Sequence, residues 1–143
     1  MDKILISACL AGVNCKYDDG NNLHPEILKL VESGAAILIC PEQMGGLPTP
    51  RLASEIIGEN VFNTAGEDVT AQFTKGAQET LRIAKLYGIT KAILKERSPS
   101  CGVHYIYDGT FSSKKIKGSG FTCRLLKANG IKILSEEEYL KII

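Results

Sequence analysis

The chain has 143 residues, a length that supports one domain with one hydrophobic core and leaves little for a second. Its composition is ordinary for a globular protein, at 44% hydrophobic and 23% charged, and a formal net charge of +1 gives no electrostatic footprint for nucleic acid or an anionic membrane. No apolar run approaches the roughly 20 residues that a membrane-spanning helix needs.

Lys3 to Ala8 is an Ile- and Leu-rich run suited to a strand buried on both faces. It begins so soon that no room is left for a secretory leader, and the expected address is the cytoplasm. The strand ends at Cys9, and a loop containing Cys15 follows. Pro25 suits the first turn of a helix with Ile27, Leu28, Leu30 and Val31 as its apolar stripe, closed by Gly34. Ala35 to Ile39 is a second buried strand, and it too ends at a cysteine, Cys40. The stretch from Cys40 to Arg51 is so dense in Pro and Gly that neither helix nor inner strand is expected there.

Glu55 to Thr64 alternates weakly, as an irregular hairpin or edge segment would. Asp68 or Thr70 can cap a long helix to about Leu86, with Phe73, Ala77, Leu81 and Ala84 on its buried face. Ile89 to Leu94 is a third strand. It runs into a crowded turn, Lys95-Glu-Arg-Ser-Pro-Ser-Cys-Gly-Val-His104, in which Pro99 and Gly102 constrain the backbone. Tyr105 to Phe111 reads as a small hairpin with Asp108-Gly109 at its tip, and Lys114, Lys115 and Lys117 as a solvated turn. A helix with Leu125 and Leu126 stops at Asn129-Gly130. Ile131 to Leu134 is a fourth strand, and Ser135 with Glu138 forms a capping box on a last short helix.

Strands alternating with helices imply a single three-layer α/β domain of Rossmann-like type over residues 1–143, with a mostly parallel sheet of about four strands and small hairpins beside it. Ligands of such sheets bind outside the carboxyl ends of the strands. Cys9, Cys40 and Cys101 each follow the end of a different expected strand, so three thiols far apart in sequence share one sheet edge. An odd count of five cysteines is not a disulfide framework, and in a reducing compartment metal ligation, catalysis or core packing are the roles available. Three soft ligands with an open position suit a [4Fe-4S] cluster with one free iron. Zinc, a lone reactive cysteine and plain buried thiols remain open on spacing alone.

Four motifs narrow this choice: Ser7-Ala-Cys-Leu-Ala-Gly-Val-Asn-Cys-Lys-Tyr-Asp18, Cys40-Pro-Glu-Gln-Met-Gly-Gly-Leu-Pro-Thr-Pro-Arg51, Gly66-Glu-Asp-Val-Thr70 and Lys95-Glu-Arg-Ser-Pro-Ser-Cys-Gly102. In order and over nearly the whole chain they resemble a bacterial family, long catalogued as a domain of unknown function, that includes the thiouracil desulfidases. The resemblance implies an oxygen-sensitive [4Fe-4S] cluster held by Cys9, Cys40 and Cys101. It further implies hydrolytic, non-redox removal of sulfur from a thiolated pyrimidine such as 2- or 4-thiouracil, giving the oxo base and sulfide. Glu42 then accepts a proton from the attacking water, and Ser98 orients the ring or shuttles a proton.

Cys15 lies within a motif and is an alternative ligand, or a neighbouring or sulfur-relay thiol. Cys123 is expected in the core. Arg51 is compatible with anchoring a carboxylate of the fold or an anionic part of a substrate, while His24 and His104 read as structural. Family members often have Cys-Arg-Tyr-Asp-Gly where this chain has Cys15-Lys-Tyr-Asp-Asp19, which alters the lip of the loop and bears on substrate preference. Near-zero net charge favours a free base or nucleoside over tRNA as substrate. Two other functions compete: a metal- or small-ligand-binding module without catalysis, and a thiol-based sulfur carrier.

Overall fold

The computed structural model describes residues 2–143. Four short strands, β1 (Ile4–Ser7), β2 (Ala36–Ile39), β5 (Lys91–Leu94) and β8 (Lys132–Ser135), form an all-parallel sheet in the order β2-β1-β5-β8. The register pairs Leu5 with Ile37 on one side and with Ala92 on the other. Successive side chains of a strand face opposite ways, and the sheet uses both faces. Leu5, Ala92 and Leu94 pack beneath α3 (Thr70–Leu86) and α4 (Phe121–Ala128), together with Ala84, Cys123 and Leu126. Ile6 and Ile93 point the other way and meet Ile27 of α1 (Pro25–Glu32) and Tyr139 of α5 (Glu136–Ile142). The result is the expected three layers.

Two antiparallel pairs sit outside the sheet: β3 (Ser54–Ile57) with β4 (Asn60–Asn63), and β6 (Tyr105–Tyr107) with β7 (Lys115–Lys117). A third apolar cluster, Ile56, Val61, Val69, Phe73 and Ile106, ties both to α3. The first pair is the hairpin of the two expected alternatives, and it is regular, with a two-residue turn, rather than irregular. The second closes farther along than the Asp108-Gly109 turn predicts: residues 108–114 form the connection, and Lys115 and Lys117 lie on an exposed edge strand. Charged side chains on such an edge discourage pairing with other chains.

The Cys40–Arg51 segment also departs from expectation, because Pro41–Met44 forms a single helical turn, α2. Pro41 takes the first helical position, where its missing N–H is harmless, and the good helix formers Glu42, Gln43 and Met44 follow before Gly45. The breakers act only from Gly45 onward. The long helix α3 starts where expected, but its N-cap position is Val69, with no side-chain cap; Asp68 instead accepts the Thr70 N–H at 2.9 Å. Leu81 is only partly buried, and Gly76 and Thr80 occupy the inner face beside Phe73, Ala77 and Ala84. The capping box at Ser135 and Glu138 is present.

Gly45 and Gly76 let α2 lie directly on α3. A Cβ at Gly76 would overlap the Pro41 carbonyl, and one at Gly45 would overlap the Gln72 carbonyl. Both obstacles are backbone and cannot rotate away. We therefore expect Gly76→Ala to destabilise the fold by about 1–3 kcal/mol despite the higher helix propensity of alanine. Urea midpoints of the two proteins check this; a stabilised variant would show that α2 and α3 can separate freely.

Candidate active site

The first crossover takes the chain from β1 to β2, and the next returns it past β1 to β5, so the order reverses between β1 and β5. In sheets of this kind the crevice outside that point holds ligands. Here it is a cavity of about 530 Å³. Its lining includes Cys9 from the turn after β1, Cys40 at the end of β2, Cys101 from the turn after β5, and Cys15 from the loop between β1 and α1. All four thiols are free. The three strand-end cysteines thus meet as the topology requires, with Cys15 beside them. Cys123 does not: it is fully buried on α4, within the core.

The thiols have different polar neighbours. Asn22 Nδ2 donates to Cys9 Sγ at 3.6 Å, Ser100 Oγ lies 3.7 Å from Cys101 Sγ, and Cys40 Sγ lies 3.7 Å from the Cys15 carbonyl. Burial raises the pKa of Cys9, only partly offset by Asn22 and by the charge of Lys95. Burial likewise pushes Cys101 up, against donors from Ser7 and Ser100. Cys40 is different. Its pKa is lowered to about 7, chiefly by a hydrogen bond from the Cys15 thiol, while Cys15 itself is held protonated. The charge on Cys9 acts on both Cys15 and Cys101, and that on Cys40 acts on Cys9, so the four form one electrostatic group.

The turn carrying Cys101 is built around Glu96, which is 3% exposed. Its carboxylate accepts the backbone N–H groups of Val103 (2.8 Å), His104 (2.9 Å), Tyr105 (3.0 Å) and Arg97 (3.2 Å). Arg97 adopts a positive φ of 70° to make this possible. The N-terminus of α4 closes the turn from beyond: Phe121 N–H donates to Pro99 O, and Thr122 N–H to Ser100 O. Below it, Lys95 pairs with buried Glu136 at 3.1 Å, and Glu136 accepts the Glu96 N–H at 2.7 Å.

A polar relay crosses the cavity wall. Arg51 Nε donates to Glu42 Oε1 at 3.1 Å and its Nη2 to the Cys15 carbonyl at 2.9 Å, with the Arg51 and Glu42 side chains only 7% and 14% exposed. Arg51 therefore anchors a carboxylate of the fold. On the other side, Ser100 Oγ donates to Glu42 Oε2 at 2.9 Å, and Ser98 Oγ lies 3.5 Å from the same oxygen. Ser98 Oγ accepts the N–H groups of Ser100 and Cys101, each at 3.1 Å, and lies 2.9 Å from Ser100 Oγ. Sequence reasoning singled out Ser98; the direct partner of Glu42 is Ser100. The Ser-Pro-Ser pattern puts both hydroxyls in the turn but carries no signal for which of them meets Glu42 at the shorter distance.

His104 pairs with Glu138 at 2.6 Å on the surface, and His24 occupies the N-cap position of α1 without capping it through its side chain. Asp19 holds a φ of +65°, a conformation that glycine takes freely and aspartate tolerates. Lys16, earlier in the same loop, lines the cavity.

Among the described residues, no three His, Cys, Asp or Glu side chains close in on a single point as one metal ion requires. Cys9, Cys15, Cys40 and Cys101 give the one cavity a lining of soft sulfur ligands, the kind that iron–sulfur clusters use.

Parallel strands, a switch point and thiols converging on it define an α/β protein with a multi-cysteine site. A family model described as 2-thiouracil desulfurase matches residues 4–138, and the chain belongs to that family. It is 46% identical over 150 residues to the uncharacterized protein YbbK of Bacillus subtilis (strain 168), a match covering 98% of this chain and 99% of that one. It is also similar to the solved structure of the [4Fe-4S]-dependent thiouracil desulfidase TudS, at 41% identity and a TM-score of 0.92 over 99% of this chain and 98% of that one.

The Glu96 clasp has a pH signature. Burial works to raise its pKa, and the N–H donors of Tyr105, His104, Val103 and Arg97 outweigh it, so the net shift is downward. A carboxylate depressed below its unfolded value of about 4.3 stabilises the fold above that pH, and this is lost as pH falls through the folded pKa. Glu96→Gln should therefore cost about 2 kcal/mol at neutral pH, with the gap to wild type closing below about pH 4. Urea midpoints measured across that range check it; a gap independent of pH would mean the carboxylate charge is not what closes the turn.

Proposed function

We propose that the chain hydrolyses a thiolated pyrimidine, 2- or 4-thiouracil-like, to the oxo base and sulfide, at a [4Fe-4S] cluster held by Cys9, Cys40 and Cys101. The observation that carries this is the cavity itself, where three strand-end thiols and the Arg51–Glu42–Ser100 array share one crevice. The donor set fits the cluster: soft sulfur ligands lining one cavity, with Asn22 beside Cys9 and Ser100 beside Cys101 as hydrogen-bonding neighbours of the kind that tunes such centres. Cys15 belongs to the wall, where its carbonyl is tied to Arg51 and its thiol to Cys40. When bound, the cluster supplies a Lewis-acidic iron with affinity for sulfur.

The protein's own groups handle the water. Water adds to the thiocarbonyl carbon, a C–O bond forms, the C–S bond breaks, and the sulfur departs as sulfide. One thione and one water give one oxo base and one hydrogen sulfide, with no change in oxidation state. Glu42, whose carboxylate lines the cavity, takes the proton from that water. Arg51 and Ser100 hold the carboxylate from opposite sides, so its orientation is set before substrate arrives. Ser98 secures the backbone N–H groups on either side of Ser100 and thereby the position of its hydroxyl.

We assign the whole chain to one domain, because the sheet, both hairpins and α2 all contribute walls to the same cavity. The substrate we favour is a base or nucleoside, in keeping with a net charge of +1. Five free cysteines suit a reducing cytoplasm. No helix among the described residues is long and apolar enough to cross a membrane.

Protein purified without oxygen should hold about four irons and four acid-labile sulfides per chain and release sulfide from 2- or 4-thiouracil. Cys101→Ala should lose both the iron and the activity. Glu42→Gln should retain iron while kcat falls about 10²–10⁴-fold, and Ser100→Ala should show a smaller loss of about tenfold with iron intact. Loaded protein that turns over no thiolated base would reduce this reading to a binding module. A persulfide trapped on Cys15 or Cys101 without product would favour a sulfur carrier.

A further inference from the structure

On the cavity wall formed by the hairpins, Glu55 of β3 is nine-tenths buried, at 9% exposure, and forms no ion pair among the described residues. Its two oxygens have different surroundings. Oε1 accepts the Gly109 N–H at 2.9 Å and the Phe111 N–H at 3.1 Å, which pins the β6–β7 connection against β3. Oε2 has no hydrogen-bond partner among the described residues, although the side chain lines the cavity. With Oε1 committed to the loop and the side chain lining the cavity, Oε2 is free to accept a donor from whatever enters.

The connection it pins is itself unusual. Phe111 and Ser113 hold positive φ values of 55° and 64°, an uncommon conformation for residues with side chains and one that persists only where surroundings enforce it. Phe111 lines the cavity, as do Tyr107 and Tyr17. Phe111 and Tyr17 stay 37% and 46% exposed. Half-exposed aromatic rings at a cavity mouth offer faces to a flat heterocycle, and Glu55 offers an acceptor toward its edge.

We propose that Glu55 reads the substrate's ring nitrogen: Oε2 accepts the N3–H of a uracil-type base. N3 is flanked by C2 and C4, so the same contact serves a 2-thio or a 4-thio compound beside the reacting carbon. A cytosine-type ring presents a bare, lone-pair-bearing N3 at that position and is repelled. This assignment rests on the desulfidase reading for its substrate class, while its test relies on binding as well as turnover.

Glu55→Gln is the informative variant. The Gly109 and Phe111 N–H groups still need an acceptor, so the glutamine oxygen stays with them and its NH2 replaces Oε2. The free acceptor becomes a donor with the loop unmoved. Uracil has no sulfur to lose, and its binding to cluster-loaded protein is measurable by equilibrium dialysis. We expect Glu55→Gln to weaken uracil at least about tenfold and to strengthen cytosine, inverting the preference, with iron content unchanged. KM for 2-thiouracil should rise by a similar factor and kcat change less. In wild type, 3-methyluracil should bind at least about tenfold more weakly than uracil, and 1-methyluracil comparably to it, a comparison that needs no variant to fold. Unchanged uracil and cytosine affinities in Glu55→Gln, or equal binding of 3-methyluracil and uracil, would overturn the assignment. Specific uracil binding without sulfide release from any thiouracil would instead leave Glu55 as reader and remove the desulfidase reading.

Discussion

A turn of ten residues cannot bury an apolar core of its own, yet the Lys95–His104 turn has to place a thiol and two hydroxyls with little freedom. The solution is electrostatic. One buried carboxylate, Glu96, gathers the N–H groups of Arg97, Val103, His104 and Tyr105, so both ends of the turn hang from a single side chain. Hydrogen bonds to a charged acceptor are about twice as strong as neutral ones, and four of them offset the desolvation that burial imposes. Cys101, Ser100 and Ser98 inherit their positions from this clasp. The N-terminus of α4 then fits over the turn only because Gly120 has no side chain to strike the Ser100 backbone.

The same device recurs around the cavity with different donors. Glu42 is held by a guanidinium and a hydroxyl, Glu55 by two N–H groups of a loop, and Glu136 by the Lys95 ammonium and the Glu96 N–H. Each carboxylate joins segments distant in sequence, and together they tie the β1–α1 loop, α2, the hairpins and α5 to one opening. Short parallel strands of four residues supply few contacts at their ends, so the loops there need such polar anchors to be rigid. Glu96 and Glu136 have both oxygens engaged. Glu42 and Glu55 each retain acceptor capacity toward the cavity, and these are the two to which chemistry or recognition is assigned.

The layered fold was legible because its signals are local and strong. Burial on both faces of a strand requires a continuous apolar run, and Leu5-Ile6 and Ala92-Ile93-Leu94 supply it; Ser135 and Glu138 name their own cap. The strand-end cysteines were legible from topology, since a parallel sheet sends every carboxyl end to one edge. Three features were hidden for physical reasons. The helical turn at Pro41–Met44 was masked by breakers that lie just beyond it. The β6–β7 register depends on residues 108–114 being clamped by Glu55, a partner more than fifty residues away in sequence. The role of Ser100 as the hydroxyl on Glu42 depends on which way a turn points, and that is decided by Glu96 and α4 rather than by the serines.

The distribution of donors among the thiols bears on how such a site works without electron transfer. Hydrolysis of a thione needs a soft acid for sulfur and a hard base for water, and one group cannot be both. In the proposed reading the two are divided between neighbouring groups: thiols at the ends of β1, β2 and β5 for the metal, and carboxylate and hydroxyl oxygens of α2 and the Ser98–Ser100 turn for the water. The divide is narrow, since Ser100 touches both Glu42 Oε2 and Cys101 Sγ. A single hydroxyl thus registers the position of the base against that of the proposed metal ligand. Any displacement of the Cys101 turn moves the hydroxyl partner of Glu42, the proposed proton acceptor, with it. That coupling explains why the turn is held by a buried carboxylate rather than left to flexible side-chain packing.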